Sequence, residues 1–119
     1  MANILVVDDE PDVLEFQKAF LTRHSHKVFT AANTQQALQA IKDTALDIVF
    51  CDVKLDTDSS GLDILAQAKK IKPNLAFYLI SGFLDKEIEE KGLQLGAKGV
   101  LNKPIKNEDL EKKISEATI

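Results

Sequence analysis

The sequence has a single cysteine, Cys51, and no tryptophan among its 119 residues. One cysteine cannot form an internal disulfide, which favours a reducing compartment, and its place in the apolar run Ile48–Cys51 predicts a buried, unreactive thiol. The chain also lacks any apolar stretch near the roughly 20 residues that a membrane span requires. Residues 1–3 carry no basic region, and the apolar run that follows ends after four residues at the acidic segment 8–10, so no signal peptide is indicated and we expect a soluble cytoplasmic protein.

The sequence also lacks an excess of basic residues: 15 lysines and arginines against 19 acidic residues give a formal net charge of −4. This balance argues against nonspecific binding of nucleic acid, which requires a basic face. Linkers, low-complexity tracts and internal repeats are absent from the sequence. With 45% hydrophobic and 29% charged residues, we expect one globular domain over residues 1–119. Its end directly after the last predicted helix favours a stand-alone protein, although a domain cut from a longer chain would have the same sequence.

Short apolar runs, which predict strands, alternate five times with longer amphipathic segments, which predict helices. The predicted strands are Ile4–Val7, Lys27–Ala31, Ile48–Cys51, Leu75–Ile80 and Val100–Leu101. This alternation favours right-handed crossovers and therefore an α/β fold with a doubly wound, mostly parallel sheet. In such sheets, ligands bind beyond the carboxyl ends of the strands.

Several residues predict where the helices begin and end. Asn33 and Gln36 have the spacing of a capping box at the start of the second helix. Gly96 is expected to end a fourth helix that includes Leu95, because glycine readily adopts a left-handed conformation. Asn107 is expected to cap the last helix.

Polar residues follow the predicted strands at the edge where ligands are expected. They are Asp8 and Asp9 after the first strand, Asp52 after the third, Ser81 after the fourth and Lys103 after the fifth. Three converging carboxylates repel each other, and a hard divalent cation, most simply Mg²⁺, offsets that repulsion. Asp52 could then attack a phosphoryl group, Lys103 could neutralise its oxygens and Ser81 could donate a hydrogen bond to it.

These residues stand in motifs that resemble the receiver domain of two-component response regulators over residues 3–117. The matching segments are Ile4–Pro11, Asp47–Asp52, Leu79–Gly82 and Leu95–Pro104. The resemblance implies a flavodoxin-like (βα)5 fold with strand order 2-1-3-4-5. It also implies that Asp52 receives a phosphoryl group from a histidine kinase or a histidine phosphotransfer protein. A downstream protein would then bind the surface formed by helix 4, strand 5 and helix 5.

The resemblance further implies a set of metal ligands. Mg²⁺, with Mn²⁺ as a substitute, would be held by Asp9 and Asp52, by Asp8 through a water molecule, and by the backbone carbonyl of Lys54. Flavin or nucleotide binding would call for a glycine-rich or hydroxyl-rich loop after the first strand. The acidic segment Asp8–Pro11 stands there instead and would repel phosphate, which disfavours such ligands.

Other site residues follow from the same resemblance. Ser81 and Lys103 would bind the phosphoryl group, and Pro104 would fix the loop that carries Lys103, through a cis or trans bond that the sequence leaves open. Lys54 and Gly82, which neighbour the phosphorylation site, are candidates for setting the lifetime of the acyl phosphate.

Val100 occupies a position where many receivers carry an aromatic residue that moves on phosphorylation. Valine is stiff at χ1 and has no ring, so the usual readout is not expected to operate unchanged. A receiver-like binding module that does not use phosphorylation is therefore an alternative. A magnesium-dependent phosphatase is disfavoured, because Asp52-Val53-Lys54 lacks the Asp-x-Asp pair that such enzymes use. We expect no enzymatic activity beyond self-phosphorylation and self-dephosphorylation.

Overall fold

The computed structural model describes residues 2–54, 60–82, 86–103 and 105–117. Within these ranges, five strands alternate with five helices. The elements are β1 (Asn3–Val7), α1 (Pro11–Arg23), β2 (Lys27–Ala31), α2 (Thr34–Asp43), β3 (Ile48–Asp52), α3 (Gly61–Ile71), β4 (Ala76–Ser81), α4 (Lys86–Gln94), β5 (Gly99–Asn102) and α5 (Asn107–Ala117). In this part of the chain, no helix has both the length and the apolar character needed to cross a membrane.

The strands form one parallel sheet in the order β2-β1-β3-β4-β5, which confirms the predicted topology. β1 lies beside β3, with Val7 paired to Cys51, while β2 pairs with the other edge of β1. The chain therefore leaves β1 in one direction and returns to β3 in the other. This reversal opens a crevice beyond the carboxyl ends of β1 and β3, where a ligand can reach both strands.

The central strands are covered on both faces, as their continuous apolar sequences predict. Every residue of Ile48–Asp52 and Ala76–Ser81 is buried. Ile41 of α2 and Leu65 of α3 pack on one face of the sheet. Leu21, Leu110 and Ile114, which belong to α1 and α5, pack on the other.

Cys51 lies inside the first of these cores, so its predicted burial is confirmed. Burial raises the pKa of its thiol, and the negative charges of Asp52 and Asp8 raise it further. The thiolate, which is the reactive form, is therefore strongly disfavoured.

The helix ends agree with most of the sequence signals. The Gln36 backbone N–H donates to the Asn33 side chain at 2.9 Å, as predicted for a cap. The Gln36 side chain, however, accepts from the Ala32 N–H at 2.8 Å, one residue earlier than a capping box requires. Gly96 has φ of 109°, which fits its predicted role.

Two helix limits differ from the predictions. α4 ends at Gln94, so Leu95 lies just beyond the helix that was expected to include it, although Leu95 still packs partly against the core. α5 begins at Asn107, whereas the carbonyl of Lys106 accepts the first helical hydrogen bond, from Leu110 at 3.2 Å. Asn107 is thus the first helical residue rather than the cap.

Two leucines on helices provide a matched test of this core. Leu65 is fully buried, whereas Leu93 on α4 is 48% exposed. Leu65→Ala should lower the free energy of unfolding by about 2–5 kcal/mol, because it leaves a cavity against the sheet. Leu93→Ala should change it by about 0.5 kcal/mol or less. Urea denaturation measures both, and equal losses would contradict the assigned packing of α3.

Candidate functional site

The parallel register brings the ends of four strands to one edge of the sheet. Asp8 follows the last residue of β1, and Asp52 is the last residue of β3, where it pairs with Ile80. Ser81 is the last residue of β4 and pairs with Asn102 of β5, so Lys103 comes directly after that pair. The residues predicted at the strand ends therefore gather at one place.

Lys103 links two buried carboxylates at this edge. Its Nζ atom lies 2.8 Å from Oδ2 of Asp52 and 3.3 Å from Oδ2 of Asp8. Asp52 is 6% exposed and Asp8 is 3% exposed, so water screens their mutual repulsion poorly. The ammonium group offsets that repulsion, because it lies within hydrogen-bonding distance of both carboxylates.

The pKa of Lys103 reflects these contacts. Partial burial acts to lower it, but the hydrogen bond and charge of Asp52, followed by the charge and hydrogen bond of Asp8, outweigh burial and raise the pKa above its ordinary value. Lys103 is therefore held in its charged form, which is the form that can pair with an anionic group.

Backbone N–H groups hold the other oxygen of each carboxylate. The Glu10 N–H donates to Oδ1 of Asp8 at 3.0 Å, and the Lys54 N–H donates to Oδ1 of Asp52 at 3.3 Å. Each carboxylate thus has one oxygen facing Lys103 and the other facing the chain that follows it. Both orientations are set by local backbone as well as by the lysine.

A group of acidic side chains begins at Asp8 and provides hard oxygen donors. One carboxylate oxygen from each of Asp8, Asp9 and Glu10 lies within 4.8 Å of the others. Such oxygens are the ligands that Mg²⁺ prefers, so this donor set fits the predicted cation. Glu10 was not among the predicted ligands, whereas Asp52, which was, is not a member of this group.

Ser81 and Lys103 are joined through the backbone. Ser81 is 6% exposed, and its carbonyl accepts a hydrogen bond from the Lys103 N–H at 2.8 Å. This bond continues the pairing of β4 with β5 up to the site. A displacement of Lys103 would therefore be transmitted to the end of β4.

The residues proposed to tune the site lie around it. Lys54 is exposed and forms an isolated antiparallel bridge with Ser60. Gly82 is exposed, and among the described residues a Cβ atom placed on it would meet only the Cδ atom of Lys103, at 3.9 Å. Space beside Lys103 is therefore present, while an effect on acyl-phosphate lifetime stays a prediction. Pro104 lies outside the described residues.

Val100 is partly buried beneath α4, where it packs against the core. The helix approaches it closely through Gly92, since a Cβ atom there would lie 3.1 Å from Cγ2 of Val100 and 2.8 Å from Cδ1 of Leu79. Gly92 was not identified from the sequence, where it stands as an isolated glycine within a helical pattern. Together, a glycine and a valine form a tight contact between α4 and β5.

Comparisons with known proteins agree on one family. A family model described as the response regulator receiver domain matches residues 4–115. The transcriptional regulatory protein ZraR of Klebsiella oxytoca is 28% identical over 115 residues, which is 97% of this chain and 26% of that protein. This chain spans about a quarter of the length of the curated relatives that it matches first.

Solved structures give the same result at the level of the fold. A response regulator receiver domain protein from Clostridium thermocellum has a TM-score of 0.91 and 33% identity, covering 98% of this chain and 94% of that one. A CheY-like receiver domain protein from Methanospirillum hungatei has a TM-score of 0.92 and 29% identity, covering 98% and 92%.

Removing the charge of Lys103 tests the electrostatics of this site. At pH 7, Lys103→Met should lower the free energy of unfolding by about 1–2 kcal/mol, because the two carboxylates then face each other without a cation. The effect is smaller than for a fully buried pair, since Lys103 is partly exposed. The control is Lys113→Met, which removes the surface ion pair between Lys113 and Glu116 (Nζ–Oε2 3.8 Å). It should change the free energy of unfolding by about 0.5 kcal/mol or less.

The pH dependence of this difference has a definite sign. Because the folded pKa of Lys103 is raised, the stabilisation is complete below the ordinary lysine value of 10.5 and is lost as the pH rises through the folded value. Denaturation of the wild type and Lys103→Met from pH 7 upward should show a difference in unfolding free energy that disappears only in alkali. A constant difference throughout that range would contradict an ionic origin.

Proposed function

The chain belongs to the response regulator receiver domain family, and on that premise we propose that it accepts a phosphoryl group on Asp52 and signals by a change of conformation. The donor would be the phosphohistidine of a histidine kinase or of a histidine phosphotransfer protein. The observation that carries this proposal is the buried Asp52 carboxylate, which ends a central strand 2.8 Å from the ammonium group of Lys103.

The chemistry follows from these groups. An Oδ atom of Asp52 forms a bond to phosphorus while the bond from phosphorus to the donor's imidazole nitrogen breaks. The imidazole leaves with the electron pair of that bond, and Asp52 becomes an acyl phosphate. Lys103, held in its charged form, offsets the negative charge of the transferred group. Ser81 would provide a hydroxyl for a hydrogen bond to a phosphoryl oxygen.

A divalent cation completes the proposed site. Asp9 and Asp52 would hold Mg²⁺ directly, Asp8 through a water molecule and Lys54 through its backbone carbonyl. Glu10, the third member of the observed acidic group, adds negative charge beside it. The bound cation would supply charge neutralisation on the phosphoryl oxygens, which is the main requirement of phosphoryl transfer. Mn²⁺, which accepts the same oxygen ligands, would substitute for it.

A groove beside the site supports a protein as the donor. It has a volume of about 570 Å³ and extends from Asp8 and Lys103 along α1, where it is lined by Val13 and Phe16. Phe16 is 65% exposed, so its ring adds apolar surface to the groove. A partner that presents phosphohistidine to Asp52 would cover this groove as it approaches, and would bury the exposed ring.

The proposed response runs from Asp52 to the surface formed by α4, β5 and α5. In the unphosphorylated protein, Lys103 contacts both Asp8 and Asp52, and its backbone is bonded to that of Ser81. A phosphoryl group on Asp52 would compete for the Lys103 ammonium and for the Ser81 hydroxyl. The resulting movement of β4 and β5 would then alter the surface on which a downstream protein binds.

A phosphorylation-independent binding module stays the alternative function. The observation that favours it is the close contact of Gly92 with Val100 and Leu79. Aliphatic side chains fill this contact between α4 and the sheet, where many receivers carry an aromatic ring that moves. The intact set of Asp8, Asp52 and Lys103 favours the phosphoacceptor. In either case we propose a signalling domain rather than an enzyme.

Labelling tests the role of Asp52. A small-molecule phosphoryl donor with Mg²⁺ should add one phosphoryl group to the wild type, as measured by intact-protein mass spectrometry, because Asp52 is the nucleophile. Asp52→Asn should remain unlabelled. Asp43→Asn, which changes an exposed acid on α2, should label as the wild type does. Labelling of Asp52→Asn at the wild-type rate would refute the assignment.

A second measurement separates the two candidate functions. Amide NMR spectra of the labelled protein should show shifts at Gly92, Val100 and neighbouring residues as well as at the site. The wild type with Mg²⁺ but without the donor provides the baseline, since it keeps every proposed ligand and carries no phosphoryl group. Shifts confined to residues that contact Asp52 would favour the phosphorylation-independent module.

A further inference from the structure

The first residue of α3, Gly61, lies against the backbone that follows Asp52. The Val53 N–H donates to the Ile80 carbonyl at 2.8 Å, which extends the pairing of β3 with β4. On the opposite side, the Gly61 N–H donates to the Val53 carbonyl at 2.8 Å. Lys54 forms an antiparallel bridge with Ser60. The first residue of α3 is thereby bonded to the backbone that follows the phosphoacceptor.

At this contact only a glycine fits. A Cβ atom on Gly61 would lie 2.3 Å from the carbonyl oxygen of Asp52, and 3.0 Å from both the carbonyl carbon of Asp52 and the Cα atom of Val53. These are backbone atoms, which cannot rotate away as the end of a flexible side chain could. Gly61 is helical and lies outside the left-handed region, so close approach rather than backbone conformation requires the missing side chain.

We propose that Gly61 is a positioning residue for the Asp52 carboxylate and for the backbone carbonyl of Lys54. This inference rests on the proposed function, in which those two groups bind the cation and Asp52 accepts the phosphoryl group. Gly61 contacts neither the cation nor the substrate. It acts by letting the first turn of α3 lie directly against the peptide group between Asp52 and Val53.

The rest of α3 explains why a methyl group here would disturb the site. Ile64, Leu65 and Ala68 are buried and attach the helix to the sheet independently of its first turn. Asp52 is held from the other side by its pairing with Ile80. Since helix and strand are both anchored, the displacement caused by a new Cβ atom must fall within residues 52–54 or 60–61.

Either displacement alters the proposed ligands. If the first turn of α3 moves outward, the bond from Gly61 to Val53 and the bridge from Ser60 to Lys54 are lost, and the Lys54 carbonyl is no longer held. If the end of β3 moves instead, the Asp52 carboxylate shifts relative to Lys103. The expected result is a folded protein with a poorly arranged site.

The test compares Mn²⁺ binding by wild type, Gly61→Ala and Gly92→Ala, measured by electron paramagnetic resonance. Gly61→Ala should bind Mn²⁺ about 10-fold or more weakly, the loss typical of residues that orient metal ligands. Gly92→Ala is the matched control, because its Cβ atom would also meet a close neighbour, Leu79 at 2.8 Å, within a helix-to-sheet contact. Its affinity should equal that of the wild type.

Two further readouts separate positioning from loss of stability. Carboxyl ¹³C resonances of Asp8 and Asp52 in the metal-free protein should shift in Gly61→Ala and not in Gly92→Ala. If Gly61→Ala is partly unfolded, all three proteins are measured in an osmolyte that favours the compact state. A folded Gly61→Ala with wild-type Mn²⁺ affinity and unshifted resonances would overturn the inference.

The wild type distinguishes this failure from that of the proposed function. A wild-type protein that neither binds Mn²⁺ nor accepts a phosphoryl group would remove the proposed function itself. A wild type that does both, beside a Gly61→Ala variant that does both equally well, would remove only the role of Gly61.

Discussion

Two carboxylates that are nearly removed from water, those of Asp8 and Asp52, share the ammonium group of Lys103. Charges of the same sign are costly at such a place unless a cation lies between them. Lys103 provides that cation from the far end of the sheet, since it follows β5 while the acids follow β1 and β3. The arrangement therefore depends on the strand order, which places β1, β3, β4 and β5 side by side in one sheet.

A second constraint is the backbone around Asp52. The sheet holds it from one side through Ile80, and α3 holds it from the other through Gly61. The bridge between Lys54 and Ser60 lies farther out, since Lys54 is exposed and Ser60 is only partly buried. Paired backbone thus holds the Asp52 carboxylate, while Lys54 and Ser60 lie at the edge of the site.

The sequence allowed the strands and their polar ends to be predicted, because a run such as Ile48–Cys51 is apolar on both faces and is followed directly by Asp52. Which side chains from distant segments touch each other could not be predicted from the sequence. Sharing of Lys103 by Asp8 and Asp52 depends on the register of strands that are far apart in the chain. The same holds for Gly61, since a glycine's closeness to another backbone has no local signature. Leu95 continued the helical periodicity, although the helix had already ended.

Gly92 has a consequence for the order in which the fold opens. It is the one buried residue of α4, so this helix contributes no fully buried side chain to the core, whereas α3 contributes those of Ile64 and Leu65. A glycine inside a helix also costs about 1 kcal/mol relative to alanine. We therefore expect local opening to require less free energy in α4 than in α3, and hydrogen exchange of the α4 amides to precede global unfolding. The helix nearest Val100 would then loosen while the sheet beneath it remains intact.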